Sequence, residues 1–249
     1  MQDVEGPDFD ALGLSPDISP LYCTLKPPQA AWMTEVSVTI LIGQYDSLFV
    51  RRVAIAMRLY GIPFEHRPWS VFSDAAQVAA FNPLMRVPTL VLDDGEVLIE
   101  SAAILDGLDD IAGDARALMP ASGPVRRHHL RICALAAGLG DKVVSLIYER
   151  AVHGRETPEW MERCHRQIAT TLDALERDRT ASASTYWFGE SIGHADIVVT
   201  CVLTQMVDAL GYDLDAARWP KLIAHRNLCE ARAEFRDIYQ PFIAPPPRV

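Results

Sequence analysis

From Val38 to Ile42 the chain is a continuous run of apolar and β-branched residues, broken at Gly43, which reads as a buried strand. Apolar side chains then recur at helical spacing, at Phe49, Val50, Val53, Ile55, Ala56 and Leu59. Asp46 or Ser47 can cap that helix, and Gly61 before Ile62-Pro63 is placed to end it. The segment 63–69 reads as a short second strand, and Asp74 as the start of a short helix that runs to about Phe81. A third extended run is entered through Val87-Pro88, and a proline there favours an extended neighbour and permits a cis bond. Asp93-Asp94-Gly95 is a hairpin signal, Glu96 to Ile99 is the returning strand, and Glu100-Ser101 opens a helix to about Ile111. The predicted order is β-α-β-α-β-β-α.

Beyond this point every strong pattern is helical. The stretch 113–124 is rich in Gly, Pro and Ala and reads as a linker. Helices are predicted over about 125–149, 158–179, 193–210, 220–232 and 234–239. The segment 193–210 is apolar on nearly every side, which predicts the buried centre of its domain. The expected division is therefore an α/β domain over 36–112, an all-helical domain over 125–243 and a loose Pro-rich tail over 244–249. Residues 1–35 are Pro- and Asp-rich without periodicity and predict a disordered extension; Met33, just before the first strand, offers an alternative translation start.

Composition narrows the function. A hydrophobic fraction of 49% over 249 residues is ample for a core, and a formal net charge of −10 with no basic stripe argues against nucleic acid as a partner. No apolar run approaches the roughly 20 residues of a membrane helix, and the acidic N-terminus is unlike a secretory signal, so the expected location is cytoplasmic. The five cysteines are scattered, and the histidines at 128, 129, 153, 165 and 194 lack the spacing of a metal site. Free thiols, solvated or capping imidazoles and no bound metal are expected.

Three features of the first domain converge: a hydroxyl at a helix N-terminus (Ser47), a Val87-Pro88 loop, and a Glu100-Ser101 pair opening another helix. Two helix N-termini and an exposed strand edge suit a small peptide-like anion carrying carboxylates and a reactive group. For Ser47 alone, and again for Glu100-Ser101, plain helix capping would be an adequate explanation.

The joint order and spacing of Asp46-Ser-Leu-Phe-Val-Arg-Arg-Val53, Asn82-Pro-Leu-Met-Arg-Val-Pro88, Ile99-Glu-Ser-Ala-Ala-Ile104 and Ala195-Asp-Ile197 resemble the cytosolic glutathione S-transferases, over about 36–242. The resemblance implies a thioredoxin-like N-terminal domain, an all-helical C-terminal domain, a homodimer and glutathione as co-substrate. It implies that Ser47, as in serine-type members, donates a hydrogen bond to the glutathione sulfur. It also implies that Val87 pairs with the cysteinyl backbone beside a cis Pro88, and that Glu100 and Ser101 hold the γ-glutamyl amine and carboxylate. Phe49 and Arg86 fall among the expected glutathione contacts. Free thiols have a pKa of about 8.5, so keeping one ionised at neutral pH takes a shift of about two units, or ~3 kcal/mol. A hydroxyl donor and a helix N-terminus can supply this together. The thiolate would then attack an apolar electrophile lying against the helical domain.

Tyr45 is a competing hydroxyl, two residues early for the family's tyrosine pattern. Two departures stand out. Asp74 lies where relatives often place a basic or amide group for the glycyl carboxylate, leaving Arg67, Gln77 or Arg86 as substitutes. Gly193 stands three residues before Asp196 where relatives have a Ser or Thr cap, which leaves Asp196 to carry that folding role alone. Trp160, Trp187, Trp219, Tyr148 and Tyr212 could line an electrophile pocket, although packing is the commoner fate of such residues. The alternatives are a non-catalytic interaction protein on the same scaffold, and a glutathione-dependent isomerase or peroxidase.

Overall fold

A computed structural model describes residues 38–152, 154 and 157–244, all of them within one compact unit, Ser37–Val249. The expected N-terminal extension, Cys23, His153 and nearly all of the expected tail lie outside the described residues.

The α/β half runs β1 (Ile40–Ile42), α1 (Leu48–Tyr60), β2 (Glu65–Arg67), α2 (Ala75–Ala79), β3 (Thr89–Val91), β4 (Val97–Ile99) and α3 (Ser101–Ala112), in the predicted order. The sheet order is β2-β1-β3-β4, with β1 parallel to β2 and the other two pairings antiparallel. This is a thioredoxin-like layout. Alternation within β1 separates two packing layers. Leu41, with Leu90 of β3, joins the main core formed with α1 and α3, whereas Ile40 and Ile42 meet Val78 of α2 on the opposite face. Gly43 ends β1 at φ 128, and a Cβ there would meet Val50 Cγ2 at 2.5 Å and Val87 Cβ at 2.8 Å. Its missing side chain lets the strand end, the start of α1 and the proline loop crowd together.

The helical half comprises α4 (Gly123–Ala151), α5 (Pro158–Thr180), α6 (His194–Leu210), α7 (Pro220–Glu230) and α8 (Ala233–Arg236). As its all-round apolar sequence predicts, α6 is the centre, with every residue from His194 to Gln205 buried. The core is continuous from Leu41 through α1 to α4 and α6. Buried Arg51 of α1 is clamped by the helical half: Nη1 and Nη2 donate to Glu230 at 2.8 and 2.7 Å, Nε to the Ile238 carbonyl at 3.0 Å, and Nη2 also to the Phe235 carbonyl at 3.0 Å. The bidentate pairing and the two carbonyl acceptors together make burial of the charge tolerable.

The start of α6 differs from the sequence expectation in one respect. Asp196 does carry the cap, accepting the Gly193 N–H at 2.7 Å and the Trp187 N–H at 2.8 Å. It does not act alone, because His129 Nε2 of α4 accepts the Ala195 N–H at 2.9 Å. Thus an imidazole from a neighbouring helix supplies the acceptor that Gly193 lacks. Glycine is required there by space: a Cβ would lie 2.7 Å from the Leu118 carbonyl oxygen and 2.8 Å from His129 Cε1.

Among the described residues no helix is long and apolar enough to cross a membrane. Cys133 is half-buried and Cys164, Cys201 and Cys229 are buried, all as free thiols.

Candidate active site

Ser47 occupies the N-cap position of α1 in an extended conformation, yet its side chain makes no cap bond. Its carbonyl accepts the Arg51 N–H at 2.8 Å, while the first helical amide, that of Leu48, donates 2.8 Å to Gln205 Oε1 of α6. Asp46, the other cap candidate, accepts the Ile243 N–H at 3.0 Å. The Ser47 hydroxyl is therefore uncommitted to the helix, and the plain capping explanation does not hold for it.

Ser47 lies in a cleft of about 350 Å³ between the α/β half and α4, walled by Phe72, Met85, Val144, Ile147 and Tyr148, with Phe242 and Ile243 at one side. A second cavity of about 220 Å³ adjoins it, and Phe49, Arg86, Val87 and Asp141 line both. Pro88, Glu100 and Ser101 line the second cavity. All seven residues singled out in the sequence, Ser47, Phe49, Arg86, Val87, Pro88, Glu100 and Ser101, thus line one continuous surface.

The Val87–Pro88 peptide is cis. Buried Asn82 organises the loop before it, donating to the Arg86 carbonyl at 2.9 Å and to Thr89 Oγ1 at 3.0 Å and accepting the Leu84 N–H at 3.0 Å. Glu100 precedes α3 at φ 63, a left-handed conformation that is uncommon for a side chain of its size and that accumulates at ligand sites. Its carboxylate meets Arg86 Nη1 at 3.0 Å, and both side chains are at least half exposed, so water screens the pair and a ligand can displace it at little cost.

Of the three substitutes for a glycyl-carboxylate group, only Arg86 lines the cleft. Arg67 pairs with Glu65 at 2.7 Å and lies over Trp69, while Gln77 is exposed on α2. Asp74 closes its own loop, accepting the Ser70 N–H at 2.9 Å and the Ser73 hydroxyl at 2.8 Å; these bonds hold its carboxyl below the usual range. Tyr45 stacks on His66 at 3.8 Å and is not among the residues lining the cleft. Among the aromatic candidates of the helical half only Tyr148 reaches it. Trp187 and Trp219 are buried, with indole N–H groups donating to Asp178 at 2.8 Å and Asp173 at 2.9 Å.

Residues 41–116 match the signature described as the glutathione S-transferase N-terminal domain, and residues 158–227 match its C-terminal domain. The chain is 31% identical over 137 residues, 55% of its length, to the GST-like protein YibF of Escherichia coli, of which it covers 67%. The chain belongs to the glutathione S-transferase family. A glutathione S-transferase from Methylobacterium radiotolerans, in complex with glutathione sulfonate, superposes with a TM-score of 0.76 at 28% identity, covering 85% of this chain and 99% of that one. Maleylacetoacetate isomerase of Pseudomonas aeruginosa is 27% identical over 210 residues, which are 80% of this chain and 94% of that protein. The thioredoxin-like and helical halves of this glutathione S-transferase are those that the resemblance implies.

Among the residues lining the two cavities that sequence reasoning misses are Arg52, Asp141, Phe72 and Gln205. None of the four carries a local sequence signal: Arg52 shares α1 with Arg51 and Arg58, and Gln205 shares α6 with Thr200, Thr204 and Asp208.

Proposed function

We propose that this glutathione transferase binds glutathione along the two adjoining cavities, activates its thiol at Ser47 and directs the thiolate at an apolar electrophile in the larger cleft. The observation that carries this reading is the Ser47 hydroxyl, uncommitted at the N-terminus of α1 and facing the cleft. It donates a hydrogen bond to the sulfur while the helix terminus favours negative charge, and the thiol proton passes to water. The γ-glutamyl ammonium displaces the exposed Arg86 from Glu100, the α-carboxylate meets Ser101 and the first amides of α3, and Val87 pairs with the cysteinyl backbone. Arg86, once released, is the group for the glycyl carboxylate. The apolar lining beside Tyr148 and Ile147 suits an uncharged electrophile.

The test is a pH titration of thiolate absorbance for glutathione mixed with the protein, alongside Ser47→Ala. Ionisation well below the free pKa in the wild type, abolished in the variant, is the expected result; identical titrations would overturn the reading.

A second activity of the same thiolate is isomerisation, in which sulfur adds to a cis double bond and leaves after rotation. The similarity to maleylacetoacetate isomerase across most of that protein's length favours it. Turnover of maleyl compounds without consumption of glutathione distinguishes it from conjugation. The exposed apolar side chains Ile111 of α3 and Val125 and Leu130 of α4 support a homodimer, which sedimentation would report. The unpaired cysteines support a cytoplasmic setting.

A further inference from the structure

Arg52 lies in the middle of α1 and is only 4% exposed. A guanidinium this deep is costly unless its donors are engaged. Nη2 donates to Ser101 Oγ at 2.5 Å, whereas Nε has no partner among the described residues. The guanidinium also lies 5.6 Å from the Phe49 ring centroid. Burial lowers its pKa, and the carboxylates of Asp141 and Glu100 act in the opposite sense. Arg52, Phe49, Glu100, Ser101 and Asp141 all line the 220 Å³ cavity. That cavity therefore holds two carboxylates and the exposed Arg86 at its surface, and a buried cation, Arg52, behind a serine hydroxyl. An α-amino acid head group, with an ammonium and a carboxylate on one carbon, complements this arrangement.

We propose that Arg52 is a positioning residue for the α-carboxylate of the γ-glutamyl group: by donating to Ser101 Oγ, it leaves that hydroxyl's single proton to donate into the cavity. A hydroxyl has one proton and two acceptor sites, so an N–H bound from behind turns the O–H outward. The charge on the arginine strengthens that outward bond, because hydrogen bonds in series polarise one another. The proposal rests on the glutathione reading above. A purely structural pin between α1 and α3 would instead weaken every ligand of the cavity alike.

Two ligands separate these cases: glutathione, and 4-aminobutyryl-cysteinyl-glycine, which keeps the amine and lacks only the α-carboxylate. Calorimetric affinities are measured for wild type, Arg52→Met, Arg52→Lys, Ser101→Ala and the double variant Arg52→Met/Ser101→Ala. Arg52→Met should weaken glutathione by about tenfold or more, the loss of a charge-assisted bond, and the analogue by less than about twofold. Arg52→Lys should recover part of the loss, and Arg52→Met should cost little further once Ser101 is alanine. Equal losses for both ligands, or no loss for either, overturn the proposal. Should Arg52→Met fail to fold, Arg52→Lys and Ser101→Ala carry the same comparison between ligands. Wild-type protein that binds neither ligand overturns the glutathione reading, and this proposal with it.

Discussion

Gln205 Oε1 accepts the Leu48 N–H at 2.8 Å, so the central helix of the helical half satisfies the first amide of the helix that Ser47 opens. The bond is buried and joins residues far apart in sequence, and Gln205 itself lines the cleft. The position of Ser47 thus depends on the packing of α6 against α1. Replacing Gln205 by Leu leaves a buried amide unsatisfied, a cost of about 1–3 kcal/mol. We expect a lower melting temperature, a kcat/KM reduced about tenfold, and a bound-thiol pKa moved toward its free value. An unchanged thiol titration in a destabilised variant would separate folding from activation.

Gly193 is where a Ser or Thr would ordinarily improve the cap of α6. A side chain at this position would bring its Cβ within 2.7 Å of the Leu118 carbonyl oxygen and 2.8 Å of His129 Cε1, which reverses that expectation. Both Gly193→Ala and Gly193→Ser should destabilise the fold by about 1–3 kcal/mol, the usual cost of overpacking. Denaturant melts report it; a stabilised Gly193→Ser would contradict the packing argument.

His129 is buried beneath Phe188, whose ring stacks on it at 4.6 Å, and its Nε2 must stay unprotonated to accept the Ala195 N–H. Burial first, and the neighbouring His194 second, push its pKa down to about 4; Asp196 and Asp109 oppose and His128 adds to the lowering. The unfolded chain takes up this proton near pH 6.5, the folded protein only near 4. In that window the unfolded state binds more protons, so stability falls as pH falls from about 6.5 to 4, by up to ~3 kcal/mol. Asp109, also held below its usual range in the folded state, adds acid sensitivity only beneath this window. Denaturant melts of His129→Gln, which cannot titrate, should lose most of the slope between these pH values.

The legible parts of the site lie at element boundaries. Ser47 after a glycine-ended strand, Val87-Pro88 before another and Glu100-Ser101 at a helix start are each marked by local chemistry: a cap residue, a proline, a turn. The order of elements follows from the same signals. Arg52 and Gln205 are opaque because they lie within helices, where local sequence gives a face but not what that face meets. An apolar stripe drawn through Val50, Val53 and Ala56 leaves Arg51 and Arg52 outside it, yet both are buried, because Glu230 and Ser101 wait for them from segments 179 and 49 residues away. The choice among Arg67, Gln77 and Arg86 is open in the sequence for the same reason: side chains from β2, α2 and the loop before β3 are told apart only by where the folded backbone turns them.

Phe72 and Tyr148 face each other across the larger cleft, with ring centroids 5.8 Å apart and planes inclined at 61°. One comes from the loop before α2 and the other from α4, and both are more than a third exposed, so the pair forms the apolar rim over the Ser47 opening. Burial raises the pKa of the Tyr148 phenol, which keeps it a neutral donor at physiological pH. The ring and the hydroxyl then act separately. Tyr148→Ala removes the edge-to-face contact, worth about 0.5–1.5 kcal/mol, together with the surface an apolar electrophile would cover. KM for such an electrophile should rise about five- to tenfold, with glutathione affinity unchanged. Tyr148→Phe keeps the ring and should leave alkyl halides, which expel halide and carry no such oxygen, nearly unaffected, while slowing epoxides and enones, whose oxygen gains charge on attack. Steady-state kinetics on a matched pair of electrophiles, one with such an oxygen and one without, reads both effects; equal slowing of the two by Tyr148→Phe would mean that the phenol serves packing alone.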